Sequence, residues 1–127
     1  MNTIKKFTAL VVDDDSINRA INMKFLGRNG FEIIKIAKNG KEAVEYFHAG
    51  DKFDLVVMDM EMPIMDGIQA TKEIRAIGVK SLIIGMSASS SQAKIQEFVS
   101  AGLDDFYAKP MNMAKLAAIM GHPTFNE

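Results

Sequence analysis

Five short apolar runs are spaced along the chain, and each has the length of a β-strand. Three of them are nearly continuous and rich in β-branched residues, which is typical of strands buried on both faces of a parallel sheet. The runs at 33–36 and 106–108 are less uniform, which favours edge positions. In chain order, the predicted strands cover residues 9–12, 33–36, 55–58, 82–86 and 106–108.

Between these runs the apolar residues recur at the three- and four-residue spacing of an amphipathic helix. Asn39 with Glu42, and Asp66 with Gln69, have the spacing of a helix-capping pair. Four glycines follow helical segments and predict their ends: Gly30, Gly50, Gly78 and Gly102. The predicted apolar faces are marked by Ile17, Ile21 and Phe25; Ala43, Val44 and Phe47; Ala70, Ile74 and Ile77; Ile95, Phe98 and Val99; and Met113, Leu116, Ala117 and Met120.

A strand followed by a helix, repeated five times, predicts an α/β fold with a doubly wound parallel sheet and helices on both of its faces. Residues 1–127 contain no linker, repeat or low-complexity segment, so we expect one domain without an effector domain. Ligands of such sheets bind beyond the carboxyl ends of the strands. Residues directly after each strand are therefore the first candidates for a site.

Composition narrows the classes of function. The chain has 15 Lys and Arg residues against 16 Asp and Glu, so it lacks the basic excess that non-specific DNA binding requires. It contains no cysteine, which excludes thiol nucleophiles and disulfides. No apolar run approaches the roughly 20 residues of a membrane helix, and no secretory signal is visible. We expect a cytoplasmic protein, with the nucleus as a second compartment, and no contact with DNA or membranes.

Carboxylates follow the first and third predicted strands. Asp13, Asp14 and Asp15 come directly after the first, and Asp59 comes directly after the third. Acids that converge at one sheet edge repel one another, so they persist by raising a pKa or by binding a hard cation such as Mg²⁺. Acidic runs before helices also serve as N-caps, and the pattern alone leaves both interpretations open.

A hydroxyl and a cation follow the last two strands. Ser87 comes after the fourth strand and Lys109 after the fifth, where both suit a phosphoryl group bound to Asp59. Taken singly, Ser87 is also an ordinary turn residue, and a Lys-Pro pair an ordinary helix boundary. The coincidence of all these groups at one sheet edge favours a functional site. The bond between Lys109 and Pro110 is a candidate for the cis form.

Four segments together resemble the receiver domain of two-component response regulators. They are residues 10–14 (LVVDD), 58–67 (MDMEMPIMDG), 87–88 (SA) and 109–110 (KP). The resemblance spans essentially the whole chain and implies a flavodoxin-like sheet with strand order 2-1-3-4-5. Within the family, the chain is similar to plant type-C response regulators and to the receivers of hybrid histidine kinases.

The resemblance implies a phosphoacceptor and a magnesium site. Asp59 corresponds to the phosphoacceptor and a metal ligand, Asp14 to a direct Mg²⁺ ligand and Asp13 to its water-mediated partner. The backbone carbonyl of Glu61 is implied as a further ligand. We hypothesise that the Glu61 side chain orients or repels the water that attacks the phosphoryl group, although it also reads as a solvated loop acid.

The resemblance also implies a switch between two conformations. Ser87 and Lys109 would hold the phosphoryl group, and Phe106 corresponds to an aromatic side chain whose inward rotamer is coupled to movement of Ser87. Phe106 lacks a tyrosine hydroxyl, so its inward position has no buried polar group to satisfy. We therefore hypothesise a bias towards the inward, active-like rotamer.

The implied partner is a histidine-phosphotransfer protein or a histidine kinase, and we expect a monomer. A group of methionines at the strand ends suggests a soft rim around the acceptor pocket, including Met62, Met65 and Met111. The docking surface implied by the resemblance includes Ser16, Ile17, Ala20, Pro63, Pro110 and Met111.

Three other functions remain open at this stage. A receiver that drains a relay would act as a phosphohistidine phosphatase on the phosphotransfer protein. A magnesium-dependent phosphatase with multiple turnover is faintly suggested by Asp59-Met60-Glu61, but the acidic pair precedes the nucleophile and no cap domain is visible. A scaffold that is never phosphorylated is the third.

Overall fold

The structure, a computed structural model, describes residues 6–89 and 91–126. Within them, five strands alternate with five α-helices, as the periodicity predicts. The strands are β1 (Phe7–Val12), β2 (Phe31–Ala37), β3 (Leu55–Asp59), β4 (Leu82–Ser87) and β5 (Asp105–Ala108). The helices are α1 (Ser16–Gly27), α2 (Gly40–His48), α3 (Gly67–Ala76), α4 (Gln92–Ser100) and α5 (Met113–Met120).

All five strands are parallel and lie in the order β2-β1-β3-β4-β5, so the predicted fold and strand order are confirmed. The two less uniform runs form the edge strands. Val12 pairs with Met58, and Asp59 pairs with Met86. This register brings the carboxyl ends of β1, β3 and β4 to one edge of the sheet.

Two apolar layers cover the sheet, one on each face. Leu10 and Val12 of β1 point into a layer shared with α2, α3 and α4. Ala9 and Val11 point into the opposite layer, shared with α1 and α5. Because successive side chains of a strand alternate between faces, the continuous apolar runs supply both layers.

The two predicted capping pairs are confirmed, and three of the four predicted glycines directly follow a helix cap, whereas α1 ends at Gly27 with Arg28 as its cap, before Gly30. The side chain of Asn39 accepts a hydrogen bond from the Glu42 N–H at 2.9 Å, and that of Asp66 accepts from the Gln69 N–H at 2.8 Å. The Glu42 carboxylate accepts in turn from the N–H of Lys38, the residue before the cap. The backbone φ is positive at all four glycines predicted to end helices, which are Gly30, Gly50, Gly78 and Gly102.

Four large side chains at predicted apolar helix positions are exposed, among them Ile17 at 69 % and Ile77 at 41 %. Val99 and Met113 are the other two. All four lie in the first or last turn of a helix or at its cap, where the sheet covers less of the helix. Periodicity predicts the helix face on which they lie, but it does not predict how much of each side chain is buried. None of the helices described here is long and apolar enough to cross a membrane.

The chain after α5 forms a 3₁₀ turn at Pro123–Phe125, which the sequence pattern did not predict. Phe125 is buried, and its ring contacts those of Phe7 and Phe31 edge-on, with centroids 5.0 Å and 5.8 Å away. This turn closes the α1/α5 layer at the amino end of the sheet.

Candidate functional site

Three carboxylates converge where β1 and β3 end. Asp13 and Asp59 are 2 % and 4 % exposed, whereas Asp14 is exposed. One oxygen atom of each lies within 4.8 Å of the others. The structure thus brings together the acids that the sequence places after these two strands, and their hard oxygen donors fit Mg²⁺.

The third acid of the run has a different task. Asp15 caps α1, where its carboxylate accepts hydrogen bonds from the N–H groups of Ile17 and Asn18, both at 3.3 Å. The Asn18 side chain donates to it as well, at 2.8 Å. The capping interpretation of the acidic run therefore holds for Asp15, whereas Asp13 and Asp14 belong to the cluster beside Asp59.

Lys109 reaches into the acidic cluster from the loop after β5. Its Nζ atom lies 2.8 Å from Asp13 Oδ2 and 3.1 Å from Asp59 Oδ1. The Lys109 N–H donates to the carbonyl of Ser87 at 2.9 Å, and the bond to Pro110 is cis. One ammonium group thus faces two buried carboxylates. Its single positive charge is smaller than the combined negative charge of the three acids.

These contacts change the protonation of both groups. Burial raises the pKa of Asp59 to about 6, with help from the negative charge of Asp13 and against the opposing effect of Lys109. Burial alone would lower the pKa of Lys109, but the hydrogen bonds and charges of Asp13 and Asp59 outweigh it and raise that pKa. At neutral pH Lys109 is therefore a cation and the Asp59 carboxyl group is mostly ionised.

Ser87 ends β4 and is buried. Its hydroxyl donates to the carbonyl of Ser89 at 3.1 Å and accepts from the Ser89 N–H at 3.3 Å. The hydroxyl would have to leave the Ser89 carbonyl to donate to a phosphoryl oxygen. Ser89 was not predicted as a site residue. The sequence feature that could have indicated it is a second serine two positions after the end of β4.

The loop after Asp59 is held close to the end of β3. The Glu61 N–H donates to Asp59 Oδ1 at 3.4 Å, and the Gly67 N–H donates to the Met60 carbonyl at 2.9 Å. A Cβ atom at Gly67 would overlap the Asp59 carbonyl, so this close approach requires glycine. The Glu61 side chain is exposed on the rim of a cleft lined by Asp14, Asp59, Glu61, Ser87, Ala88, Ser89 and Lys109.

Arg19 is a residue of this region that the sequence interpretation missed. Its Nη1 atom donates to the backbone carbonyl of Asp13 at 2.8 Å. This bond joins the first turn of α1 to the loop that carries Asp13 and Asp14. The available signal is a basic residue one turn after the acidic run.

Phe106 is half-buried on the edge strand β5, where it pairs with Gly85 of β4. Its ring meets that of Phe98 edge-on, with 6.4 Å between centroids. A Cβ atom at Gly85 would lie 2.6 Å from the Phe98 ring and 2.7 Å from Leu103. Gly85, two residues before Ser87, therefore leaves the space that the Phe98 ring occupies behind Phe106.

Most of the residues predicted to contact a partner are exposed at this same edge. Met111 is the exception, because it is 3 % exposed and packs in the core layer with Leu116 and Ile119. It cannot form part of a rim in this structure, and Met62 and Met65 are half-buried against the other layer. The exposed residues are Ser16, Ile17, Ala20, Pro63 and Pro110.

Comparisons with known proteins agree with this geometry. Residues 9–120 match the family described as the response regulator receiver domain. The chain is 46 % identical over 115 residues to two-component response regulator 24 of Arabidopsis thaliana, covering 91 % of this chain and 82 % of that protein.

Two solved structures are informative neighbours. One is the CheX-CheY-BeF3-Mg complex from Borrelia burgdorferi, with a TM-score of 0.81, 30 % identity and coverage of 90 % of this chain and 87 % of that one. The other is the Saccharomyces cerevisiae complex of the histidine phosphotransfer protein Ypd1 with the receiver domain of Ssk1, with a TM-score of 0.78, 31 % identity and coverage of 91 % and 87 %. The chain described here therefore belongs to the receiver domains of two-component phosphorelay systems.

Proposed function

We propose that this receiver accepts a phosphoryl group on the carboxylate of Asp59 from a phosphohistidine. The observation that carries the proposal is a buried carboxylate, ionised at neutral pH, in contact with the Lys109 ammonium group at the carboxyl edge of the sheet. The donor is a histidine-phosphotransfer protein or a histidine kinase, as in the yeast complex of Ypd1 with a receiver domain.

The chemistry follows from the positions of the side chains. A carboxylate oxygen of Asp59 attacks phosphorus, a P–O bond forms, and the P–N bond to the imidazole breaks. Lys109 is placed to offset the negative charge of the phosphoryl oxygens, and Ser87 to donate a hydrogen bond to one of them. The loop contacts of Glu61 and Gly67 keep the acceptor strand in place during transfer.

Asp13, Asp14, Asp59 and the backbone carbonyl of Glu61 are the proposed ligands of Mg²⁺. The bound ion would neutralise charge on the phosphoryl oxygens. The clustered oxygens of the three carboxylates support this assignment, because their mutual repulsion is relieved by a hard cation.

A second candidate is a relay sink, in which the phosphoryl group passes quickly from Asp59 to water. The exposed Glu61 carboxylate favours it, since this side chain lies on the rim of the cleft that contains Asp59. In that case the protein would discharge the phosphotransfer protein as a phosphohistidine phosphatase. We propose that the protein acts as a monomer in either role.

The test is transfer from a radiolabelled phosphotransfer protein in the presence of Mg²⁺, followed over time on both proteins. Label on the wild type and none on Asp59→Asn is the expected result, with Asp51→Asn as a control at a distant acid. Label lost from the donor as free phosphate, dependent on Asp59, would identify the sink. No transfer to any variant from several donors would instead favour the unphosphorylated scaffold.

A further inference from the structure

A second cavity lies at the edge of the sheet opposite Asp59, at the amino ends of β3 and β4. Its volume of about 510 Å³ is within the range of about 300 to 1,000 Å³ that is typical of small-molecule sites. Its walls are mainly residues 50–54, which connect α2 to β3, and residues 77–81, which connect α3 to β4. The phosphoacceptor chemistry uses none of these residues.

Hydrogen bonds hold the two walls of this basal cavity in place. The hydroxyl of Ser81 donates to the Phe53 carbonyl at 2.6 Å, which joins one wall to the other. Arg75 Nη1 donates to the carbonyls of Val79 and Ser81 at 2.9 Å and 2.8 Å. Because these bonds already fix the backbone, binding would cost little ordering of the loops.

Apolar side chains form the floor of the cavity, beside the polar groups of the two loops. The rings of Phe47 and Phe53 pack edge-on with 5.7 Å between centroids, and Leu82 lies beside them. Ile77 adds a partly exposed side chain at the rim. Such a lining favours the flat or branched hydrocarbon part of a ligand.

The mouth carries charges of both signs: Lys52 and Lys80 exceed the one carboxylate that has no cationic partner in the described part of the chain, Asp54, by a single charge. Lys52 and Lys80 are exposed there, and neither forms an ion pair with any residue in 6–89 or 91–126. The two neighbouring acids have other partners. Asp54 accepts from the N–H and the hydroxyl of Thr8 at 2.9 Å and 3.2 Å, and Asp51 faces a lysine of β2 at 3.8 Å. An anion is therefore the complementary group at this position.

We propose that the basal cavity binds a small amphipathic anion, with its apolar body against Phe47, Phe53 and Ile77 and its carboxylate or sulfonate near Lys52 and Lys80. This site goes beyond phosphotransfer and is separate from it, since it lies at the other edge of the sheet. A ligand there would contact the loops that begin β3 and β4, the strands that end in Asp59 and Ser87.

The test is an NMR titration of the full ¹⁵N-labelled chain with 8-anilinonaphthalene-1-sulfonate, beside the neutral analogue N-phenyl-1-naphthylamine. We expect saturable one-to-one binding of the sulfonate, with amide shifts concentrated in residues 47–54 and 77–82. The double variant Lys52→Gln/Lys80→Gln loses both exposed ion contacts and should bind the sulfonate about tenfold more weakly.

Two controls make the result specific. The variant Lys24→Gln/Lys41→Gln, which removes exposed lysines elsewhere, should keep the wild-type affinity, and the neutral analogue should bind the wild type and both double lysine variants equally. Ile77→Asp should weaken both compounds. The proposal is overturned if binding does not saturate, if the shifts spread over the whole protein, or if loss of Lys52 and Lys80 leaves the sulfonate affinity unchanged.

Discussion

The ammonium nitrogen of Lys109 lies 3.1 Å from a carboxylate oxygen of Asp59. The same nitrogen lies 2.8 Å from Asp13, so one mostly buried cation compensates two buried anions. Without bound Mg²⁺, this arrangement limits the repulsion between the acids. The residue that we propose to stabilise a phosphoryl group thus also stabilises the unphosphorylated fold.

Replacing this lysine should therefore affect both stability and transfer. We expect Lys109→Met to lower the free energy of unfolding by about 2 kcal/mol in EDTA, because it leaves two buried carboxylates without their partner near the open edge of the sheet. Mg²⁺ should restore part of the loss, and phosphotransfer should fall at least tenfold. Urea denaturation with and without Mg²⁺ measures the first effect. The control is Lys72→Met on the exposed side of α3, and equal stability of both variants would contradict the prediction.

The raised pKa of Asp59 predicts a pH dependence of stability. Its folded pKa is about 6 against an ordinary value of 3.8, so the folded chain binds more protons between these pH values. The contribution of Asp59 to stability is therefore fully present below pH 3.8 and is lost as the pH rises through about 6. In EDTA at pH 8, Asp59→Asn should be about 3 kcal/mol more stable than the wild type.

The same comparison carries its own control. At pH 4 the difference between Asp59→Asn and the wild type should nearly vanish, because both side chains are then neutral. Mg²⁺ at pH 8 should also reduce it, since the ion stabilises only the protein that retains the carboxylate. A stability difference that stays constant from pH 4 to 8 in urea denaturation would rule out the titration of Asp59 as its cause.

The acidic run shows how much of the site could be predicted from the sequence alone. Asp13 and Asp14 could be placed beside Asp59 because strand ends in a parallel sheet share one edge, a property set by topology. The capping bonds of Asp15 are local and were equally visible in the pattern. Whether an acid caps the helix or joins the cluster depends on the exact residue at which α1 begins. Periodicity does not predict that position to within one residue.

Other features depended on contacts that no local pattern records. Arg75 looks like an ordinary charge at the end of a helix, yet it bonds to Asp104, 29 residues away. Met111 lies in a loop without periodicity, so its burial could not be read from spacing. The burial of Phe125 requires the start of β1 and β2 to be already in place. Each of these depends on the assembled tertiary structure.

Arg75 should be important for stability. Its guanidinium group donates to the carbonyls of Val79, Ser81 and Gly102 and forms a 2.8 Å ion pair with Asp104. Lysine cannot reproduce this fork of donors. We expect Arg75→Lys to cost about 2 kcal/mol and Arg75→Ala about 3 kcal/mol, because several carbonyls lose a charged donor.

Chemical denaturation of both Arg75 variants checks this prediction. Lys72→Ala on the same helix is the matched control and should change stability by less than about 0.5 kcal/mol. If Arg75→Lys were as stable as the wild type, a single ammonium group would suffice, and the fork geometry would not be what stabilises these loops.

Ile17 should contribute to partner binding. Its side chain is exposed at the start of α1, directly after the acids of the site, and Ala20 lies one turn further on. We expect Ile17→Asp to slow transfer from a phosphohistidine donor about tenfold, because docking would bury a charge. Phosphorylation by acetyl phosphate, which needs no protein contact, should be unchanged.

The matched control for Ile17 is Val99→Asp, an exposed apolar residue at the end of α4, away from the acidic cluster. It should leave both donors unaffected. A loss of labelling by acetyl phosphate in Ile17→Asp would point to damage of the acidic cluster instead of the docking surface. Equal transfer by wild type and variant would exclude Ile17 from the interface.

The absence of a hydroxyl on Phe106 predicts a conformational bias. The ring is half-buried against Phe98 beside an apolar layer, so a fully inward ring would bury the hydroxyl of Phe106→Tyr without a partner, at a cost of about 1 to 3 kcal/mol. We therefore expect Phe106→Tyr to bind a phosphotransfer partner with an affinity changed at least threefold in one phosphorylation state. Calorimetry on both states measures this, with Tyr107→Phe on the same strand as the control. Because a ligand shifts a conformational equilibrium only through its different affinities for the two states, unchanged binding in both would show that the rotamer of Phe106 is not part of the switch.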